Sequence, residues 1–189
     1  MRTKNFFSIA ALIICGLVCV NSVKAEGTPS KTDNVTLNIK FKPVQSITVN
    51  PAQKTVDLKY YTLENYRDGV STKMDDHLTV FSTGGFVVSV STTTDKFVRS
   101  AGGEIPVSDI TVTAENGTTT NSTFTPEEVS LSIAPKALIT TTAGGNELNY
   151  NITYNNTVAG KDYNYINNYI HPDAESVYTA TVTYTIATN

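Results

Sequence analysis

Few residues in this 189-residue chain are of the types that carry out chemistry. The chain has two histidines, and one of them directly follows two acidic residues in the sequence Asp75-Asp76-His77. These three side chains have the groups needed to bind a metal ion or to transfer protons. Adjacent residues of a strand point to opposite faces, so a solvated acidic turn ahead of a strand is the alternative interpretation. His171 precedes a proline in a predicted turn.

Sequence motifs of the common enzyme classes are missing. There is no G-x-S-x-G, H-E-x-x-H, P-loop or G-x-G-x-x-G sequence. Glu127 and Glu128 follow a proline and predict the polar start of a strand, while a catalytic pair of carboxylates distant along the chain stays open as an alternative. The acidic loop over 62–76 offers oxygen ligands for calcium but lacks EF-hand spacing. We expect no enzyme activity, no cofactor and no metal site.

One segment, residues 162–169, is rich in the residue types that bind sugars and proteins. Tyrosine rings offer flat apolar faces, and asparagine amides offer hydrogen bonds. The alternative is a strand whose tyrosines pack on the rest of the fold, as aromatic residues in strands usually do. The candidate ligand-binding residues are Tyr163, Tyr165, Asn167, Asn168 and Tyr169.

Residues 1–25 have the pattern of a cleaved signal peptide. Basic residues precede an apolar run over 6–20, and Val23-Lys24-Ala25 supplies the small residues that a signal peptidase reads. Cys15 and Cys19 both lie inside this segment, so the predicted mature chain has no cysteine. We expect export to the periplasm, the cell surface or the medium, with a flexible leader over 26–34 and no integral membrane segment after processing.

Charge and composition restrict the partners and the fold class. Removal of Arg2, Lys4 and Lys24 takes the net charge from −3 to −6, which argues against nucleic acid as a partner. Thr, Asn, Ser and Tyr dominate the rest, and these residues favour strands and turns.

Alternating apolar and polar residues predict strands along the whole mature chain. VTLNIKF (35–41), ELNYNITYN (147–155) and VYTATVTYTIATN (177–189) have the clearest period of two. Gly84-Gly85 joins two such runs and predicts a hairpin. With about nine strands and no helical interludes, the pattern indicates an all-β fold, an antiparallel β-sandwich of Ig-like or jelly-roll-like type, forming one domain over 35–189. Further predicted strands cover 44–49, 55–61, 77–83, 86–94, 104–115 and 128–133, and residues 163–170 form either another strand or a Tyr/Asn-rich loop.

Two of these strands resemble the motifs of bacterial WxL-type surface domains. Thr83-Gly84-Gly85-Phe86-Val87-Val88-Ser89-Val90 is similar to the Gly-rich turn and W-x-L strand, and Tyr178-Thr179-Ala180-Thr181-Val182-Thr183-Tyr184-Thr185-Ile186 is similar to the closing strand. Phe86 and Tyr184 replace the two tryptophans of that pattern. The resemblance covers roughly 77–189 and implies non-covalent attachment to the cell wall.

Two functions follow as hypotheses. The first is an exported bacterial surface or wall-associated binding and adhesion module, with a cell-wall glycan or a surface protein as its partner. The second is a structural subunit of a fimbria-like fibre or surface layer, in which the strand Val35–Phe41 pairs with another copy of the chain.

Overall fold

The computed structural model describes residues 31–120, 124–170 and 175–189. The predicted signal peptide and His171 lie outside these residues. The chain divides into two compact units, residues 1–40 and 41–189. In the first unit, residues 31–40 have no regular secondary structure and are exposed.

The regular secondary structure described in the second unit is mostly antiparallel strand, which confirms the all-β prediction. Among the described residues the one α-helix is α1 (Leu63–Asp68), which begins at a capping box formed by Thr62 and Asn65. In chain order, the strands are β1 (Gln45–Val49), β2 (Ser71–Ser82), β3 (Phe86–Thr92), β4 (Lys96–Val98), β5 (Glu104–Pro106), β6 (Thr111–Asn116), β7 (Thr125–Pro126), β8 (Glu128–Ser130), β9 (Lys136–Thr141), β10 (Gly145–Asn155) and β11 (Val182–Thr188).

These strands form two main antiparallel sheets and one small one. The first sheet has the order β1-β2-β10-β6-β8, the second has the order β11-β3-β9-β7, and β4 pairs with β5. When β1, β2, β3, β6, β10 and β11 alone are lettered A to F, the first four strands of the first sheet take the ABED order of an immunoglobulin-type sandwich, and β3 and β11 take positions C and F. An immunoglobulin-type sandwich has a further strand, G, beside F. In the residues described here, no strand occupies that position.

The core lies between the two sheets and is supplied by every second residue of the central strands. In β3, Phe86, Val88 and Val90 are buried and alternate with half-buried neighbours. In β10, the buried residues run from Leu148 to Tyr154 at the same period. This is the alternation that the sequence predicts for these strands.

The prediction of a hairpin at Gly84-Gly85 is wrong, because β2 and β3 belong to different sheets. The glycines allow close contact between two inter-sheet connections. A Cβ at Gly144 would lie 2.2 Å from the Ser82 carbonyl oxygen, and one at Gly85 would lie 2.9 Å from the Thr141 carbonyl oxygen. Glycine is needed here for close backbone approach rather than for a hairpin turn.

Two predicted strands are absent from the described structure, because residues 35–41 and 55–61 form no ladder. Of the two alternatives for residues 163–170, a strand or a Tyr/Asn-rich loop, the structure shows consecutive turns. The predicted surface connection over 62–76 contains helix α1 but also the first half of β2. Conversely, β9 has no counterpart among the predicted strands. Its buried residues Leu138 and Ile139 are adjacent in sequence. The pairing between β9 and β3 is irregular at this point, so the sequence of β9 shows no period of two.

Candidate functional site

The predicted Tyr/Asn binding segment is anchored to the sandwich through Tyr165. This side chain is 8% exposed, and its hydroxyl donates to Asp109 Oδ2 at 2.8 Å and accepts from Asn156 Nδ2 at 2.9 Å. Burial raises the pKa of Tyr165 far above its ordinary value of 10. Tyr165 is therefore buried and held by two hydrogen bonds within the sandwich.

The other four predicted binding residues do not form one exposed face with it. Tyr169 is half-buried, with its ring edge-on to Tyr165 at a centroid distance of 4.9 Å. Tyr163 is 42% exposed and, like Asn167, adopts a positive φ. Asn168 Nδ2 donates to a backbone carbonyl within the segment. Sugar or protein binding at this segment stays a prediction.

His77 and its acidic neighbours do not converge. His77 is 2% exposed, whereas Asp76 Oδ1 and Oδ2 accept hydrogen bonds from the backbone and hydroxyl of Thr118. In the calcium candidate loop, Asp68 pairs with Arg67. Among the residues that the structure describes, no three His, Cys, Asp or Glu side chains come together as metal ligands.

His77 instead belongs to a buried chain of hydrogen bonds that crosses the sandwich. Its Nδ1 lies 2.9 Å from Gln53 Oε1, and its Nε2 lies 3.0 Å from Tyr154 Oη. Tyr154 Oη in turn lies 2.6 Å from Tyr184 Oη on β11. Because Gln53 Nε2 donates elsewhere, we assign the proton of the neutral imidazole to Nδ1, which leaves Nε2 to accept from Tyr154.

Burial controls the protonation of this chain. It lowers the pKa of His77 below 6.5, with a smaller contribution from Lys54. It also raises the pKa of Tyr154 to about 12 and that of Tyr184 well above 10. All members are therefore neutral at pH 7. The amino-acid sequence does not indicate this series of hydrogen bonds, because Gln53, His77, Tyr154 and Tyr184 are far apart along the polypeptide.

Phe86 and Tyr184, which stand at the tryptophan positions of the WxL-type motifs, both pack in the sandwich. Phe86 is 0% exposed and meets Tyr150 edge-on at 6.5 Å. Tyr184 is half-buried and lies opposite Val90 on the neighbouring strand.

Strand β11 lies at an open edge of the second sheet. Within the described residues it pairs with β3 alone. Thr93 N–H donates to the Thr181 carbonyl, and Asn189 N–H donates to the Gly85 carbonyl. The odd-numbered residues of β11 therefore direct their backbone N–H and C=O groups toward β3. By the alternation of antiparallel ladders, the even-numbered residues direct their N–H and C=O groups to the open edge.

The side chains beside this edge are apolar and incompletely covered. Val182, Tyr184 and Ile186 of β11 and Ile47 and Val49 of β1 all pack against the core but remain half-buried. Edge strands of this kind are templates for pairing with another chain.

A segment with the complementary pattern precedes β1. Its four apolar side chains alternate with Thr36, Asn38 and Lys40 and are almost fully exposed: Val35 is 92% exposed, Leu37 86%, Ile39 75% and Phe41 90%. Monomeric proteins rarely expose a contiguous apolar stripe without a partner for it. We call residues 35–41 the donor segment.

Comparisons with models of protein families and with curated proteins find no match. In the described part of the chain, no helix has the length and apolar character to cross a bilayer. Fold and site together define an antiparallel β-sandwich that combines an open sheet edge with an exposed, alternating apolar segment.

Proposed function

We propose that this protein is the structural subunit of a surface fibre or layer, in which the donor segment of one copy completes the β-sheet of another. This is the second of the two functions that the sequence suggests. An extended peptide that adds to a sheet edge gains affinity from main-chain hydrogen bonds and specificity from alternate side chains.

The observation that carries this proposal is the exposure of Val35, Leu37, Ile39 and Phe41. Covering one such side chain stabilises by about 1.5–3 kcal/mol. Their period of two matches a strand with one buried face, and their neighbours are polar. A segment with this pattern is expected to gain its stability from a sheet, and exposed residues 31–40 form none.

Wall binding is less well supported by the geometry. The predicted Tyr/Asn segment holds its most central ring in the interior, and Phe86 and Tyr184 pack within the sandwich. The resemblance to wall-attached domains stays a prediction, which sedimentation of the protein with purified peptidoglycan would test.

Assembly of the chain from Glu26 onward tests the proposed function. The purified protein is unfolded, refolded at high concentration, and examined by size exclusion and electron microscopy. We expect linear oligomers for the native sequence and monomers for the variant Leu37→Asn/Ile39→Asn, because polar side chains cannot occupy an apolar groove.

The matched control is Thr36→Ser/Asn38→Ser, which changes the polar face of the same segment and should assemble like the native chain. Thermal melting of the monomeric fraction shows that each variant has a folded sandwich. A native chain that stays monomeric, or an Asn variant that assembles equally well, contradicts the proposal.

A further inference from the structure

We infer that the acceptor is the open edge of β11, and that the donor segment of a second copy lies there antiparallel to β11, so that copies join head to tail. This inference rests on the proposed function and specifies its binding site and polarity.

Length separates β11 from the other edge strands. Within the described residues, the edges of the two main sheets are β1, β8, β7 and β11. β7 has two residues and includes a proline, and β8 has three. β1 has five residues, and β11 has seven. Only β11 matches the seven residues of the donor segment.

Both the side chains and the backbone of β11 fit this donor. The half-buried residues Val182, Tyr184 and Ile186 face the core, and β1 lies beside β11 at the same side of the sandwich. A strand added to β11 would place its apolar face against the half-buried side chains of both β11 and β1. The even-numbered residues of β11 direct their N–H and C=O groups to the same open edge, so an added strand satisfies the backbone groups while it covers the side chains.

The ends of the sandwich determine the polarity. Thr188, at the end of β11, lies next to the connection Gly84-Gly85. Phe41 and Pro43, which precede β1, line one shallow depression together with Gly84, Gly85 and Thr188. Val182, the start of β11, pairs with Thr92 at the opposite end.

A parallel donor would bring its Phe41 to the end of the acceptor that is already occupied by the acceptor's own Phe41. From Phe41 to Gln45 the chain spans at most about 14 Å. The donor's sandwich would then crowd the acceptor's own Phe41 and Pro43. An antiparallel donor places its Phe41 beside Val182 and its sandwich beyond the opposite end of β11, which leaves the acceptor's own Phe41 uncovered. Such a heterologous contact continues as an open filament.

The two faces also fix the register. The apolar residues of the donor must lie opposite the core-facing residues of β11, and the register that uses the whole length pairs Val35 with Thr188 and Phe41 with Val182. The polar pairs between them are Thr36 with Ala187, Asn38 with Thr185, and Lys40 with Thr183. In this arrangement the polar pairs are not hydrogen-bonded to each other. Their Cα atoms are therefore about 4.5 Å apart, within the range of a disulfide.

Cysteine cross-linking tests polarity and site separately. From residue 26 onward the chain has no cysteine, so introduced thiols have no background. Donor copies with Thr36→Cys are refolded together with acceptor copies that carry either Ala187→Cys or Thr183→Cys, and oxidised. A third mixture, Asn38→Cys with Thr185→Cys, joins the centre of the strands and reports pairing in either polarity.

We expect dimers from the central pair and from Thr36→Cys with Ala187→Cys, at least tenfold more than from Thr36→Cys with Thr183→Cys. Central dimers with the preference reversed overturn the polarity while the proposed function stands. Native-like oligomers without central dimers overturn β11 as the site. If no oligomers form at all, the proposed function fails and the inference fails with it.

Discussion

Protonation of His77 should destabilise the sandwich as the pH falls below neutrality. The imidazole is 2% exposed and has hydrogen-bond partners at both ring nitrogens, Gln53 and Tyr154. Burial holds its folded-state pKa below the ordinary value of 6.5. The folded state therefore binds this proton more weakly than the unfolded state. The associated stability is fully present above pH 6.5 and is lost as the pH falls from 6.5 through the folded-state pKa.

The size of the effect follows from one proton taken up on unfolding. The free energy of unfolding should fall by about 1.4 kcal/mol for each pH unit between the two pKa values. The chain of hydrogen bonds adds to the cost. A protonated Nε2 must donate to Tyr154, whose own hydroxyl must then donate to Tyr184. The displaced proton of Tyr184 would need a new acceptor, and a buried donor without one costs about 1–3 kcal/mol.

Urea unfolding followed by circular dichroism at pH values from 8.0 to 5.0 measures this dependence. The variant His77→Gln removes the titrating group and is the reference, because carboxylates and His171 contribute equally to both proteins. The difference between the two curves should be flat above pH 7 and should fall below pH 6.5.

A difference curve that stays flat down to pH 5.0 would refute the reasoning. A difference that grows as the pH falls would refute it as well, since it would mean that the folded state stabilises the imidazolium form.

Three further predictions concern single side chains, each measured by urea unfolding. Gly144→Ala places a Cβ 2.2 Å from a backbone carbonyl oxygen and should lower the free energy of unfolding by about 1–3 kcal/mol. The control Gly84→Ala meets nothing within 4 Å and should change stability far less. Equal losses of stability in the two variants would contradict the argument that Gly144 is needed for close backbone approach. Tyr150→Phe removes a buried hydroxyl without a hydrogen-bond partner among the described residues, so stability should stay equal or rise by about 1 kcal/mol, and a clear loss would indicate an unseen partner. Tyr165→Phe leaves Asn156 Nδ2 and Asp109 Oδ2 without their partner and should lower the free energy of unfolding by about 1–3 kcal/mol. Tyr163→Phe, at an exposed position, is the control and should leave stability unchanged. Unchanged stability in both variants would mean that the Tyr165 hydroxyl does not stabilise the fold.

Period-two patterns predicted the central strands because those strands have one face in the core. In β3 and β10 the buried residues follow the alternation of the sequence without exception over most of their length. The same rule fails at β9, where adjacent residues are both buried beside an irregular register. Alternation reports a regular strand with one covered face and cannot report a strand whose register shifts.

The pattern also leaves the partner of a strand undetermined. Residues 35–41 alternate as clearly as those of β10, yet they form no ladder in the described structure. Residues 55–61 place Val56 and Leu58 against the core without strand pairing. Gly84-Gly85 satisfies a hairpin rule, but close backbone packing between two connections explains these glycines. Sequence spacing along one chain carries little information on such long-range contacts.

The buried chain and the open edge meet at Tyr184, and this has a physical consequence. An edge strand with half-buried apolar side chains is held in place mainly by its ladder with one neighbour, and apolar contacts are non-directional. The hydrogen bond between Tyr184 and Tyr154, in which Tyr184 donates, is directional and ties the middle of β11 to the opposite sheet. It therefore helps to keep the core-facing side of β11 in register while the edge is open. Because His77 belongs to the same series of hydrogen bonds, the group that we expect to make the fold sensitive to acid also supports the strand to which a second copy would add.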